Sequence, residues 1–112
     1  MLITTTANIQ GYEIVTYHGV VFGEVIAGIN FMRDFAANLT NFFGGRSGAY
    51  ESELIQARST ALNEMEQRAQ ALGANAVVGV SMGCEALGGE GNMLMLTAMG
   101  TAVTIRPAQQ KD

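Results

Sequence analysis

Apolar and polar positions change their spacing several times along the chain, and each change predicts a new element. Residues 12–26 are rich in β-branched and aromatic side chains, which predicts one long strand, or two in line, with Gly19 and Gly23 allowing a bulge or a bend. The Val20-Val21-Phe22 run is too apolar for a strand covered on one side, so we expect cover on both sides. Leu2 to Thr6 predicts an edge strand, or an arm that reaches a neighbouring chain.

Residues 49–72 have the spacing of a long amphipathic helix. Strong helix formers fill its interior, Ser47 or Gly48 can serve as the N-cap, and Gly73 supplies the C-terminal stop. We expect the alanines of its apolar stripe to let the helix approach a sheet closely. That stripe consists of Leu54, Ala57, Ala61, Leu62, Met65, Ala69 and Leu72.

Residues 30–43 also show helical spacing and predict a second, shorter helix that ends at Gly44 and Gly45. Residues 76–82 and 93–105 predict two strands joined by a glycine-rich turn, close enough to form an antiparallel hairpin. Alternate residues of the second strand are apolar or small on both sides, so we expect both sides to be covered.

These elements predict an α+β fold in which a mainly antiparallel sheet packs on one long helix plus a shorter helix. The length of 112 residues suits one domain. We assign residues 1–106 to that domain and residues 107–112 to a flexible C-terminal tail, since Pro107 ends the last strand.

Composition adds a prediction about assembly. Apolar residues make up 48% of the chain, and charged residues make up only 14%, against roughly 25% in an average soluble domain. With so few charged residues, a large part of the surface of a monomer would be apolar and poorly solvated. Burial between subunits is the simplest remedy, so we expect a homo-oligomer.

Charge and cysteine content narrow the classes of function. The net charge is −4 and the six basic residues are scattered, so no electrostatic footprint for nucleic acid is present. We expect no membrane span and no signal peptide, because no apolar run is long enough and the first residues are not basic. The single cysteine suits a reducing compartment, so we expect a cytoplasmic protein.

Three stretches together resemble the YbjQ family of small bacterial proteins. They are Gly44-Gly45-Arg46-Ser47-Gly48-Ala49-Tyr50-Glu51, then residues 71–80 (Ala-Leu-Gly-Ala-Asn-Ala-Val-Val-Gly-Val), then Gly100-Thr101-Ala102-Val103. The resemblance implies a dodecin-like subunit that assembles into a ring-shaped homopentamer. The family carries the label "putative heavy-metal-binding", which implies no particular metal, reaction or catalytic residue.

The candidate metal ligands are His18, Cys84 and the methionines. No Cys-x-x-Cys and no His-x-x-x-His is present, so no local chelate can be written. A soft metal ion would favour Cys84 together with Met82, Met93, Met95 or Met99. The alternatives are a buried cysteine, gap-filling methionines and a structural histidine.

The glycine-rich start of the long helix is a candidate anion or ligand site, with Arg46 and Ser47 completing the free N–H groups at Gly48. It lacks the spacing and the lysine of a P-loop, so the alternative is a tight turn between helices. In that case Gly44 and Gly45 are structural, and Arg46 anchors the turn.

Glu24 lies within an apolar strand, so its carboxylate needs a partner, for which Arg33 and Arg46 are candidates. We interpret Glu24 and Arg33 as structural or interface residues. Three functions stay open: a binding or scaffold oligomer with a metal ion or small ligand at subunit junctions, a structural or partner-recruiting ring without a ligand, and an enzyme. An enzyme would have a site shared between subunits, with Glu24, Arg46 and His18 as the residues to test.

Overall fold

A computed structural model describes residues 1–27, 48–87 and 93–109. Within these ranges the chain forms four strands and one helix. In chain order they are β1 Leu2–Ile3, β2 Tyr12–Ala27, α1 Gly48–Ala71, β3 Ala76–Leu87 and β4 Met93–Pro107. The shorter helix predicted for residues 30–43 lies outside the described residues.

The four strands form one mixed sheet in the order β1-β3-β4-β2. β4 is antiparallel to both β3 and β2, whereas β1 runs parallel to β3. The α+β class and the hairpin of β3 and β4 are therefore confirmed. β3 continues past its predicted end at Met82 to Leu87, and the N-terminal strand is an edge strand of this sheet.

Three bulges interrupt the pairing of the long strands. On β2, Ile14 pairs with Ile105 and Thr16 with Thr104, so Val15 is an extra residue. His18 is a second extra residue, immediately before Gly19, as the glycine there predicts. On β3 the bulge falls at Gly79, whose φ of +63° is in the left-handed region that glycine adopts readily. Beyond these bulges the pairing is regular.

The helix packs on β2 and β4 at very short range. Ala61, Met65 and Ala69 are fully buried, which confirms that the small residues of the stripe face a sheet. A Cβ atom on Gly23 would lie 2.7 Å from the backbone N of Met65 and would also collide with the carbonyl O of Ala61. Gly23 pairs in regular register with Ala98, so it permits a close approach of two backbones and not the bulge that its position in the strand predicts.

The apolar core on the helix side of the sheet is built mostly from small side chains. Its buried members are Val21, Ala61, Met65, Ala69, Ala74, Val77, Val80, Ala98 and Ala102. A second, smaller cluster lies on the opposite side of the sheet, at the end where β4 stops. It contains Ala76, Val78, Val103 and Ile105, with Ile9 and Ile14 packed against it. The sheet therefore has cover on both sides at this end.

Elsewhere the opposite side of the sheet lacks that cover. Val21 is buried under the helix, but Val20 is 68% and Phe22 44% exposed. The expectation that this run is covered on both sides is therefore wrong for a single chain as described. The reason is positional: β2 is the outermost strand, and the helix lies on one side of it only. Met99 of β4, the neighbour of Phe22, is exposed in the same way.

The C-terminal end of α1 forms a Schellman motif. The backbone N–H of Gly73 donates to the carbonyl O of Gln70 at 2.9 Å, and that of Ala74 donates to Ala69 at 3.1 Å. Gly73 has a φ of +89°, which this cap requires. The predicted stop at Gly73 is confirmed, and it turns the chain directly into β3.

Gly23→Ala should strongly destabilise the fold, because the added methyl group meets helix backbone that can move only with the whole helix. We expect a loss of at least about 1–3 kcal/mol in the free energy of unfolding. Gly83→Ala is the matched control, since Gly83 is also a strand glycine but has open space around its Cβ position. Chemical denaturation of both variants measures the difference. Equal stability of the two would contradict the close approach.

Candidate functional site

The structure describes only some of the predicted site residues. Arg33, Gly44, Gly45, Arg46 and Ser47 lie outside the described residues, so the glycine-rich anion site stays a prediction. Gly48 is the first residue of α1, one residue before the predicted start of that helix. The described residues that remain are His18, Glu24 and Cys84.

His18 lies at the second bulge of β2 and points toward the end of the helix. Its Nε2 is 2.7 Å from Oγ1 of Thr104, and that hydroxyl donates to the carbonyl O of Gly73 at 3.4 Å. Because a hydroxyl has one proton to give, this arrangement makes Nε2–H the donor to Thr104. His18 therefore joins β2, β4 and the helix cap, and Nδ1 is the nitrogen left for any further ligand.

Asn75, two residues after Gly73, also ties the turn between α1 and β3 to β4. Its side-chain Nδ2 donates to the carbonyl O of Ile105 at 2.9 Å, and its Oδ1 accepts from the Ile105 N–H at 2.7 Å. Its own backbone N–H donates to Val103 at 3.0 Å. The side-chain amide makes the same pair of hydrogen bonds to β4 that a backbone amide of a paired strand would make. It does so one residue before β3 begins. Composition and spacing gave no signal for Asn75, although it falls within the second stretch of family resemblance.

These contacts form a polar cluster at the turn between α1 and β3, with members His18, Gly73, Asn75, Thr104 and Ile105. Its hydrogen bonds are mutually satisfied, and no buried side-chain nitrogen or oxygen in the described part of the chain lacks a partner. A satisfied cluster of this kind fixes register and the angle of the helix. No carboxylate belongs to it, and its hydrogen bonds join β2 and β4 to the helix cap.

Cys84 is an exposed free thiol on β3. Met82, two residues earlier on the same strand, points to the same side of the sheet and is 41% exposed. Met95 and Met99 point to the opposite side, because their positions on β4 pair with Glu85 and Ser81. Within one chain, Met82 is therefore the described methionine that can share a ligand with Cys84.

His18 and Cys84 are far apart in one chain. Cys84 pairs with Leu96, whereas His18 lies beside Ala102, six residues along β4. At about 3.3 Å per residue this separates them by roughly 20 Å. Across residues 1–27, 48–87 and 93–109, no group of three or more His, Cys, Asp or Glu side chains is placed to hold a metal ion. The described residues of one chain therefore do not complete a soft-metal site at Cys84.

Glu24 is exposed on the side of the sheet away from the helix, opposite Thr97. The burial that suggested a partner within the chain is absent, and its place at an interface stays a prediction. His18 and Glu24 are about five residues apart along β4, roughly 17 Å, and the structure does not bring them together in one chain. An enzyme site that uses both would need two copies.

Two shallow surface depressions occur among the described residues. One lies along the helix and is lined by Gln56, Ser59, Thr60, Leu62, Asn63 and Glu66. The other lies at the N-terminus and is lined by Leu2, Ile3, Thr4, Thr6, Asn8, Ile9 and Gln10. Neither contains His18, Glu24 or Cys84, so neither collects the candidate ligands.

Among the described residues, one helix on a mixed four-stranded sheet defines a small α+β protein, in which the candidate residues Glu24 and Cys84 are exposed on strands. Comparison with known families matches residues 1–106 to the YbjQ family model, described as "Putative heavy-metal-binding". The chain belongs to this family. The resemblance found in the three stretches is therefore confirmed.

Close relatives carry the family name UPF0145. A UPF0145 protein of Clostridium botulinum is 63% identical over 103 residues, which is 92% of this chain and 97% of the relative. Relatives from Acetivibrio thermocellus and Listeria monocytogenes are 60% and 59% identical over 105 residues each, 94% of this chain and 99% and 96% of the relatives.

A solved structure supports the fold alone. The crystal structure of a protein of unknown function of the DUF74 family from Pediococcus pentosaceus matches with a TM-score of 0.63 at 19% identity, covering 95% of this chain and 98% of that one. In the described part of this chain, no helix has the length and apolar character of a membrane span.

Asn75→Ala should destabilise the fold by about 1–3 kcal/mol, because it removes two hydrogen bonds and leaves the nearly buried N–H of Ile105 without its acceptor. Asn63→Ala, on the exposed surface of α1, is the control and should change stability little. Asn75→Asp keeps the acceptor and loses the donor, so we expect an intermediate loss. Denaturant titration of the three variants tests the order.

Proposed function

We propose that this protein is a homo-oligomeric binding or scaffold protein whose copies pack through the side of the sheet that faces away from the helix. The observation that supports it is an exposed apolar strip formed by Val20, Phe22, Ile26 and Met99. Their exposed fractions are 68%, 44%, 55% and 47%. The family resemblance predicts a ring of five copies, and the ring and its number are part of this proposal.

The strip lies on two neighbouring strands. Val20, Phe22 and Ile26 alternate along the regular part of β2, and Met99 pairs directly with Phe22 on β4. From Val20 to Ile26 the strip is roughly 20 Å long at about 3.3 Å per residue. Contiguous exposed apolar surface of this kind marks protein contacts.

A second copy is the partner that we favour. Charged residues make up 14% of the chain, a composition that leaves little polar surface to spare in a monomer. The strip lies on the edge strand β2 and its neighbour β4, with Glu24 and Thr97 as a polar pair between its apolar members. In a closed ring of five, the strip of each copy packs against a different surface of the next copy, so every strip has the same environment.

Cys84 and Met82 support a second element of the proposal, a soft-metal site at a second contact between copies, on the helix side of the sheet and apart from the strip. A thiolate and a thioether are the ligands that soft ions such as Cu(I) prefer. One chain offers two of them on one side of β3, and further copies would complete the coordination. We place the protein in the reducing cytoplasm, where an exposed free thiol persists.

Val20→Glu combined with Ile26→Glu should break the assembly. Full burial of each native side chain contributes at least about 1.5 kcal/mol, so losing two raises the dissociation constant about 100-fold, before the cost of burying two carboxylates. Sedimentation velocity measures the mass of each species. Ile55→Glu is the control, since Ile55 is 60% exposed on α1, outside the strip.

A wild-type protein that sediments as a stable monomer at micromolar concentration would contradict the proposed oligomer. If the wild type is oligomeric but the double variant keeps its mass, the oligomer uses another surface. Dissociation of the Ile55→Glu control would point to the helix as the interface.

Wild-type protein titrated with Cu(I) under anaerobic conditions should bind it, with thiolate-to-metal absorbance and a raised melting temperature. Cys84→Ser should abolish both signals, and Met82→Leu should weaken binding. Met95→Leu is the control because Met95 points to the other side of the sheet and is not a member of the strip. The protein is purified without a metal-affinity tag, and elemental analysis gives the stoichiometry. Absence of metal and of any thermal shift in the wild type would refute the metal site while leaving the oligomer untouched.

A further inference from the structure

We propose that Arg68 closes the outer edge of β2 against pairing with a strand of another copy. A free sheet edge presents backbone N–H and C=O groups that can pair with any extended chain. β2 is the last strand in the sheet order, and within the described residues no strand pairs with its outer edge. The edge is 16 residues long, so it needs protection.

The part of β2 that needs protection is its second half. The bulges at Val15 and His18 already distort the first half, and bulges deter pairing. From Gly19 to Ala27 the register with β4 is regular, so this half is flat enough to accept a new strand. Phe22 lies close to the middle of this regular half.

Arg68 binds the backbone carbonyl of Phe22. Its NH1 group donates to the Phe22 carbonyl O at 2.6 Å, and its guanidinium carbon lies 4.7 Å from the centre of the Phe22 ring. Glu64, one turn earlier on α1, holds the guanidinium through an ion pair at 2.9 Å. The arginine therefore reaches from the helix around the sheet edge and covers an acceptor that an incoming strand would use.

The hydrogen-bond pattern between β2 and β4 identifies the backbone groups of β2 that an incoming strand would use. In an antiparallel pair, every second residue directs both its N–H and its C=O away from the partner strand. Because the Phe22 carbonyl meets Arg68, Phe22 and Glu24 are the residues that point outward here. These outward groups are the ones that strand addition requires.

The contacts of Arg68 contribute little to stability. Its side chain is 46% exposed and that of Glu64 36%, and exposed ion pairs contribute about 0.2–1 kcal/mol. Three contacts hold this guanidinium on the edge carbonyl of Phe22, and exclusion of a competing strand explains them better than stability does. A suitable competitor exists on the same molecule. β1 pairs with β3 only at Ala76 and Val77, so the outer edge of Ser81–Leu87 has no partner strand among the described residues.

Pairing of the β2 edge of one copy with the β3 edge of the next would join two different surfaces. Such a contact closes into a ring only when the rotation between copies allows it, and otherwise it repeats and produces filaments. Arg68 thus directs association to the apolar strip. The role of Arg68 in directing association rests on the proposed oligomer, whereas its protection of the β2 edge does not.

Arg68→Ala should convert the protein into larger, polydisperse species that grow with concentration and bind thioflavin T, while the wild type keeps one mass. We expect the weight-average mass by light scattering to rise at least about threefold. Arg58→Ala is the matched control, since Arg58 is an exposed arginine on the same helix, and it should behave as the wild type. Glu64→Gln, which loosens Arg68 but keeps it, should give a smaller increase.

A rescue variant separates edge pairing from simple unfolding. Glu24→Pro removes an outward N–H on β2 without removing a bond to β4, and proline is tolerated at such edge positions. Arg68→Ala combined with Glu24→Pro should restore the wild-type mass. Growth that persists in the double variant does not use the β2 edge and overturns the proposal. So does a folded Arg68→Ala variant with the wild-type mass. A monomeric wild type would refute the oligomer alone, because Arg68→Ala would still polymerise the monomer.

Discussion

The contact between the backbone of α1 and the backbone of β2 at Gly23 is the constraint on which the rest of the structure depends. No side chain separates the two there, since even a Cβ would collide with Met65 and Ala61. The small residues on both surfaces allow this approach, and the Schellman cap at Gly73 then returns the chain into β3 at a fixed angle. Asn75 and His18 tie that turn to β4 and β2. A local requirement for glycine thus sets the position of the only helix in the described ranges.

This position leaves the subunit asymmetric. The helix covers β2 and β4 on one side, whereas a small cluster around Val103 covers only one end of the other side. The remaining apolar strip lies on β2 and β4 on that side, and among the described residues no strand pairs with the outer edge of β2 or with the part of the β3 edge that β1 does not reach. A protein with so few charged residues must control what its exposed surfaces contact. We infer that the strip is the surface through which copies associate, and that Arg68 prevents the outer edge of β2 from pairing with another copy.

The candidate ligands follow from the same geometry. Cys84 and Met82 project from a part of β3 that the helix does not cover, while His18 is committed to Thr104 at the other end of the sheet. The described residues of one chain therefore supply a pair of soft ligands and not a complete set. This separates the metal hypothesis of the family from the polar cluster at the helix cap.

The sequence by itself determined the local features, because these depend on period and on residue type. The limits of α1, the stop at Gly73, the hairpin of β3 and β4 and the two faces of β4 all follow from spacing, and three short stretches were enough to indicate the family. The role of Gly23, the exposure of Val20 and Phe22, the separation of His18 from Cys84 and the contact of Arg68 with Phe22 were decided by tertiary structure. Each depends on which strand lies at the edge and which side the helix covers. Sheet order joins residues that are distant in the chain, and no local pattern of apolar and polar positions encodes it.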